Sequence, residues 1–498
     1  MTAPEASLTV RTATSAGWVI AWRMLTRMLG LVNTVVLTKL LLPSDFGLVA
    51  LATSFAQAVD GLSELGVGEA LMREKSPDRD MYDTGFTINF CRGLLTAAVI
   101  AIGAWPVAAF FEDPRLGTIT LVLAVAMLLS SVENIGIVDF RRDLAFQKEL
   151  QLYTVPRILG IAAAITFAAI FANYWALVVG ILTTRMTRCA WSYTMHPYRP
   201  HLTLRSWRQL VGFSSWTWAN TIVDQIRERL DWVVIGRLLG TADTGIYAVG
   251  SEVGLLPSTE LLQPFGRALY AGFAAARREG TGIAEPYLRA ITTTFLLTMP
   301  AGFGISLVAD PLVRLIFGER WLAAVPLVEI FGIIGMLGVI TAVSGALLTV
   351  SGMLSVQFRF IVLTTVVRLV LLLVLVNEIG IVGAGIAAAC TLMLEECCYL
   401  VVTFRRFHVR VADLWRGIWR PILATMAMAG VLIWQGLGWT ALPGSPLVIG
   451  GQLALAVAIG AITYCAMIVL LWWLAGRPDG AEVLTWRMAK RSITRQSA

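Results

Sequence analysis

Arg23 and Arg27 share one helical face with Thr34 and Thr38, inside a stretch that is otherwise almost entirely apolar. Residues three, four or seven apart lie on one side of a helix, and three further apolar stretches carry polar faces of this kind. Thr53, Gln57, Asp60 and Glu64 form the second. Thr217, Asn220, Asp224, Glu228 and Asp231 form the third, with Arg227 beside them, and Glu252, Thr259 and Gln263 form the fourth. A guanidinium is a planar fork that matches paired oxygens on carboxylates and phosphates. Arg23 and Arg27, followed by Arg92, Arg185 and Arg227, are therefore the candidates for holding an anionic group. Asp60, Glu64, Asp224, Asp231 and Glu252 are candidates for ion coupling or charge pairing. Arg23 and Asp60 stand at similar depth, so a purely structural ion pair is the competing reading of those two.

The elements carrying these groups must sit in lipid. Hydrophobic residues make up 57% of the 498 positions and charged residues 14%, against ~25% charged in a soluble domain. A charge near the bilayer centre costs roughly 2.5–3.5 kcal/mol even on the mildest scale. The polar faces must then line a wet cavity or pair with one another. A bilayer crossing takes ~20 mostly apolar residues, and the chain offers about fourteen such stretches. They fall at 15–40, 45–66, 85–111, 116–138, 151–172 and 174–195, then at 210–239, 243–268, 287–309, 322–350, 355–377 and 380–404, and last at 417–438 and 447–474. The first contains Arg23 and Arg27 and lacks a cleavage pattern, which reads as a membrane helix and not a signal peptide. Charged segments such as Asp139 to Leu150 fit a short amphipathic helix at the interface. The six cysteines all lie in apolar stretches and read as small buried hydrophobes.

The net charge of +7 is distributed by loop. Arg73, Lys75 and Arg79 occupy one connection, Arg141, Arg142 and Lys148 a later one, and Arg199, Arg205 and Arg208 another. Arg277 with Arg278, the run from Arg405 to Arg420, and the tail from Arg477 continue the pattern, while intervening connections are short and nearly free of Lys and Arg. This alternation is the positive-inside signature and places both termini in the cytoplasm. It accounts for the charge without a nucleic-acid partner. Two segments repeat 198 positions apart (245 − 47 = 198): Thr38 to Ala50 with Asp45-Phe46-Gly47, and Gly236 to Ala248 with Asp243-Thr244-Gly245. A fixed offset of this sort means two copies of one unit, and six crossings per copy make them parallel repeats. The expected organisation is an all-α polytopic membrane protein. Residues 1–195 form one six-helix lobe, 196–209 a cytoplasmic linker, 210–410 a second six-helix lobe, 411–476 two extra helices, and 477–498 a basic tail. Under the offset Asn33 matches Asp231 and Ser54 matches Glu252, so the second copy places two carboxylates where the first has neutral groups. Close together in low dielectric they would make a proton or monovalent-cation site, unless Arg227 or Arg229 neutralises them.

Several motifs resemble a known family. They are Arg27 to Ala52 (Arg-x-Leu-Gly, then Thr-Lys-Leu-Leu-Leu-Pro-Ser-Asp-Phe-Gly-Leu-Val-Ala-Leu-Ala), Glu64 to Lys75, Phe110 to Leu116, Phe140 to Gln147, and Leu230 to Gly240 followed by Gly245-Ile-Tyr247. In this order they resemble Wzx-type polysaccharide flippases, especially colanic-acid-exporter-like members. These form the polysaccharide transporter branch of the multidrug/oligosaccharidyl-lipid/polysaccharide exporter superfamily. The resemblance is closest over about 30–280 and rests mainly on hydropathy beyond it. It implies two lobes around a basic cavity and the alternating-access movement of polyprenyl-diphosphate-linked oligosaccharides across the bacterial inner membrane. Such a protein serves lipopolysaccharide or exopolysaccharide assembly alongside polymerase machinery, without cofactor and without enzymatic chemistry. The rival from the same superfamily is a cation-coupled drug antiporter, for which a mostly apolar or acidic pocket is expected. A membrane polymerase or glycosyltransferase would need a sizeable non-membrane region, and a non-transporting scaffold would leave the polar faces unexplained.

Overall fold

A computed structural model of the protein describes residues 25–478, apart from short breaks at 64–65, 75–76, 144, 211–214, 281 and 442–443. Arg23 and Glu64 lie outside the described residues, as do the side chains of Thr217, Asn220 and Gln263. Among the described residues all regular structure is helical, and the chain divides into two compact units, Met1–Gly245 and Ile246–Ala498.

The first unit contains α1 (residues 25–40), α2 (Pro43–Leu62), short α3 (Val67–Arg73), α4 (Arg79–Phe110), α5 (Arg115–Ser131), short α6 (Val138–Arg142), α7 (Phe146–Phe171), α8 (Trp175–Met195), short α9 (Trp207–Leu210) and α10 (Ser215–Leu238). Pro43 opens α2 with its φ already helical, and the Asp45 carboxylate accepts a hydrogen bond from the Leu42 N–H at 3.0 Å. Asp78 does the same for α4 by accepting from Met81 at 2.8 Å. Leu48 and Leu51 of α2, Ile100 of α4, Ile119 of α5 and Val178 of α8 form one core, against which Trp232 of α10 packs. That packing explains why compactness divides the chain at Gly245 and not at the linker expected at 196–209. The linker itself is fastened to the first unit. Asp83 accepts from the His201 N–H at 2.9 Å and from the Tyr198 hydroxyl, while Thr87 accepts from the Thr203 N–H at 2.9 Å. The amphipathic helix expected over 139–150 is instead two elements, α6 ending at Arg142 and α7 starting at Phe146, with Asp139 of α6 held by Arg142 at 2.9 Å and lying 3.4 Å from His196.

The second unit holds most of α11 (Thr241–Glu279), then α12 (Ala284–Leu307), short α13 (Ala309–Ile316), α14 (Val325–Leu337), α15 (Val339–Val350), α16 (Leu354–Ile379), α17 (Ile381–Phe407), α18 (Val411–Trp434) and α19 (Pro446–Leu474). One core gathers Tyr287, Phe295, Val343 and Tyr399. The two helices beyond the repeat dock on α12: the Tyr464 hydroxyl donates to the Leu296 carbonyl at 2.7 Å, and the Trp439 N–H to the Leu307 carbonyl at 2.9 Å.

Eight helical stretches among the described residues are long and apolar enough to cross a bilayer, and up to nine if α5 counts with its 65° bent continuation. The count of about fourteen expected from the sequence also includes α2, α8 and α10, which carry Asp60, Arg185 with Arg188, and Asp224 to Asp231. Those charges lower their mean hydropathy. Large apolar side chains cover the outside, with Ile102 at 76% and Leu447 at 89% exposure, which only lipid accommodates. Cys91, Cys390, Cys397 and Cys465 share that outer surface instead of the expected interior. A thiol facing hydrocarbon gains nothing from being buried in protein.

The repeated turns meet each other. A Cβ on Gly47 would sit 1.7 Å from the Thr241 carbonyl oxygen, and one on Gly245 would sit 1.9 Å from the Pro43 carbonyl oxygen. Since 43 and 241 differ by the same 198 positions as 47 and 245, each copy presents one backbone to the other's glycine. Only hydrogen fits at either position.

Candidate anion-binding cluster in the first unit

Arg92, Arg185 and Arg188 gather between α2, α4 and α8 with two carboxylates, Asp60 and Glu133. Arg92 donates to Asp60 Oδ1 at 2.9 Å, to Ser63 Oγ at 3.2 Å and to the Asp60 carbonyl at 3.4 Å. Ser63 is in turn 3.0 Å from Thr96 on the same face of α4 as Arg92. Arg188 pairs with Glu133 Oε2 at 3.0 Å and stacks its guanidinium over Tyr153 at 4.6 Å. Arg185 lies one helical turn before Arg188 on α8, within reach of the charges on Arg188, Glu133 and Asp60. Among the described residues it makes no hydrogen bond or ion pair, and it is half-buried. Both neighbouring carboxylates are therefore already matched by Arg92 and Arg188. Among the described residues the third guanidinium keeps its donors for something else, and the five charges named here sum to one formal positive charge in excess. Chemically, that is a fork of N–H donors awaiting paired oxygens in a setting of low dielectric.

The other candidate residues are placed differently. Arg27 lies half-buried on α1 and is engaged in an interaction of its own, while the partner found for Asp60 is Arg92. Arg227 is paired with Asp224 at 3.2 Å, one turn away on α10, which neutralises it as an anion ligand. Asp231 is buried in the first unit, whereas Glu252 is exposed on the second, and each is engaged. Asn33 Oδ1 and Ser54 Oγ, their counterparts under the offset, are buried without a hydrogen-bond partner among the described residues. The structure adds Glu133, Arg188 and Tyr153, which sequence reasoning passed over. The three-residue spacing of Arg185 and Arg188 was the available signal for one of them.

The model of a family described as "Polysaccharide biosynthesis protein" matches residues 36–326. The chain is 23% identical over 369 residues to the lipopolysaccharide biosynthesis protein WzxC of Escherichia coli (strain K12), covering 72% of this chain and 74% of that protein. It is 22% identical over 316 residues to the teichuronic acid biosynthesis protein TuaB of Bacillus subtilis (strain 168), covering 61% of this chain and 64% of TuaB. A solved structure of the lipid II flippase MurJ in an inward closed conformation superposes with a TM-score of 0.74, over 92% of this chain and 99% of that one, at 13% identity. At that identity the superposition speaks for the fold, a polytopic helical membrane protein.

Proposed function

The chain belongs to the polysaccharide biosynthesis protein family, and we propose that it is a flippase, carrying polyprenyl-diphosphate-linked oligosaccharides across the bacterial inner membrane for surface polysaccharide assembly. The observation that carries this reading is Arg185, a guanidinium that has no acid partner among the described residues and sits in a cluster whose described charges sum to a net positive within the membrane-spanning part. A diphosphate supplies paired anionic oxygens that match such a fork bidentately. A drug antiporter for cationic substrates would be repelled by it.

The substrate also has a long apolar tail. In the second unit α12, α18 and α19 enclose a groove of about 470 Å³, lined by Ile305, Val308, Leu432, Leu453, Val457 and Tyr464 among others. Its walls suit an isoprenoid chain that stays in lipid while the headgroup crosses. Both termini lie in the cytoplasm in this reading, the polymerase machinery receives the product, and no enzymatic step is needed. In this reading Asp231 and Glu252 are each candidates for ion coupling within their own unit.

Deleting the gene should abolish a surface polysaccharide and leave its lipid-linked units facing the cytoplasm. Raised sensitivity to cationic drugs with the polysaccharide intact would instead assign the antiporter function.

A further inference from the structure

Glu396 stands on α17 about 14 Å from Arg405 by helical rise, near the middle of a hydrocarbon core about 30 Å thick. Only 4% of it is exposed. Its Oε1 accepts a hydrogen bond from the Thr341 hydroxyl of α15 at 2.9 Å, while its Oε2 is buried without a hydrogen-bond partner among the described residues. No ion pair reaches it among the described residues. Glu395, also buried, has an interaction of its own, and Arg368 on α16 and Arg420 on α18 are engaged without bonding to Glu396. Other charged and phenolic groups on these helices are Tyr287 and the Glu285–Arg289 pair on α12, Glu329 on α14, Arg359 and Glu378 on α16, Tyr399, Arg405 and Arg406 on α17 itself, and the Asp413–Arg416 pair on α18. None of these neutralises a carboxylate here. An ionised group with one bare oxygen in such surroundings carries a desolvation cost that a proton removes.

The polar face of α15 leads from this carboxyl toward the arginine-rich side. Thr341, Ser344, Gly345 and Thr349 follow at helical spacing. Ser344 is 3.0 Å from the Tyr287 hydroxyl, and Gln357 donates to the Gly345 carbonyl at 2.7 Å and to Thr349 at 3.1 Å. The row ends beside Val350, whose carbonyl accepts from Arg277. Hydroxyl and amide groups in sequence are what a proton needs to reach a buried acid. A metal ion would need several converging oxygens. Here one carboxyl meets one hydroxyl, and no group of three or more metal-ligating side chains occurs among the described residues.

We propose that Glu396 is a proton-binding site of the second unit, occupied by a proton at neutral pH. The inference is independent of what the protein carries. Infrared difference spectra of the full chain in lipid, recorded without substrate across a pH titration, read it directly. At neutral pH the wild type should show the carbonyl stretch of a protonated carboxylic acid, lost on raising the pH. The band should be absent in Glu396→Gln and retained in Glu395→Gln. Should Glu396→Gln fail to fold, Thr341→Val should shift the band by removing its hydrogen bond. A spectrum unchanged by Glu396→Gln, a band unmoved by Thr341→Val, or a band that responds to sodium at constant pH would overturn the assignment.

Discussion

Arg185 and Arg92 show the two meanings a charge within the membrane can have. Arg92 is spent on Asp60 and Ser63, so its loss should first be a matter of folding; Arg185 has no such obligation among the described residues. Arg185→Ala should therefore leave protein level and melting temperature near wild type while weakening substrate binding roughly 10-fold or more, the worth of a charge-assisted contact. Arg185→Lys should recover only part of this, because an ammonium lacks the fork. Asp60→Asn should do the reverse and lower thermal stability in detergent by leaving Arg92 unmatched; a melting temperature equal to wild type would take Asp60 out of its structural role. The sequence showed that these residues do not face lipid, since cost alone dictates it. It did not show who pairs with whom. Asp60 was matched in depth with Arg23, yet Arg92 reaches it from α4, a neighbour that spacing along one helix does not reveal. Glu396 was missed for another reason: a single acid in an apolar span has no stripe to announce it.

At the scale of elements, the glycine contact has a mechanical consequence. Gly47→Ala or Gly245→Ala inserts a methyl where a carbonyl oxygen already sits less than 2 Å away, so the touching arrangement cannot form. Spin labels on Ser44→Cys and Ala242→Cys should then report a longer distance than in the unsubstituted pair, and an unaltered distance would refute the contact. The repeat that exposes this symmetry was legible from offset alone. That its two glycines pack against each other was not, because an offset carries no handedness or axis. The fastened linker offers a pH test. Burial pushes the His196 imidazole below its usual 6.5, against a smaller opposing pull from Asp139. The unfolded chain then takes up a proton first. The contribution of this group is complete above about pH 6.5 and is lost as pH falls through its lower native value. Melting curves should show the first unit losing stability as the pH is lowered below about 6.5, with less loss in His196→Gln. Equal acid sensitivity in both proteins would acquit His196.

At the scale of the whole molecule, lipid as the solvent, the helical fold and the two-fold repeat all follow from composition and periodicity, which are properties of long stretches. Boundaries do not follow so readily. The compact division at Gly245 depends on Trp232 packing into the first core, and the docking of α18 and α19 depends on Tyr464 and Trp439 reaching α12. Orientation is open to direct measurement: reporter fusions after Gly240 and Gly444 should report the periplasm, and fusions after Arg277 and Ala498 the cytoplasm. A periplasmic C-terminus would mean a different number of crossings. The flippase reading itself is best tested with purified protein in proteoliposomes containing a polyprenyl-diphosphate oligosaccharide, scored by how much of it becomes accessible to an added enzyme that cannot cross the bilayer. Wild-type protein should equilibrate the lipid-linked sugar between leaflets and Arg185→Ala should do so markedly more slowly, whereas wild-type vesicles no faster than protein-free ones would contradict the assignment.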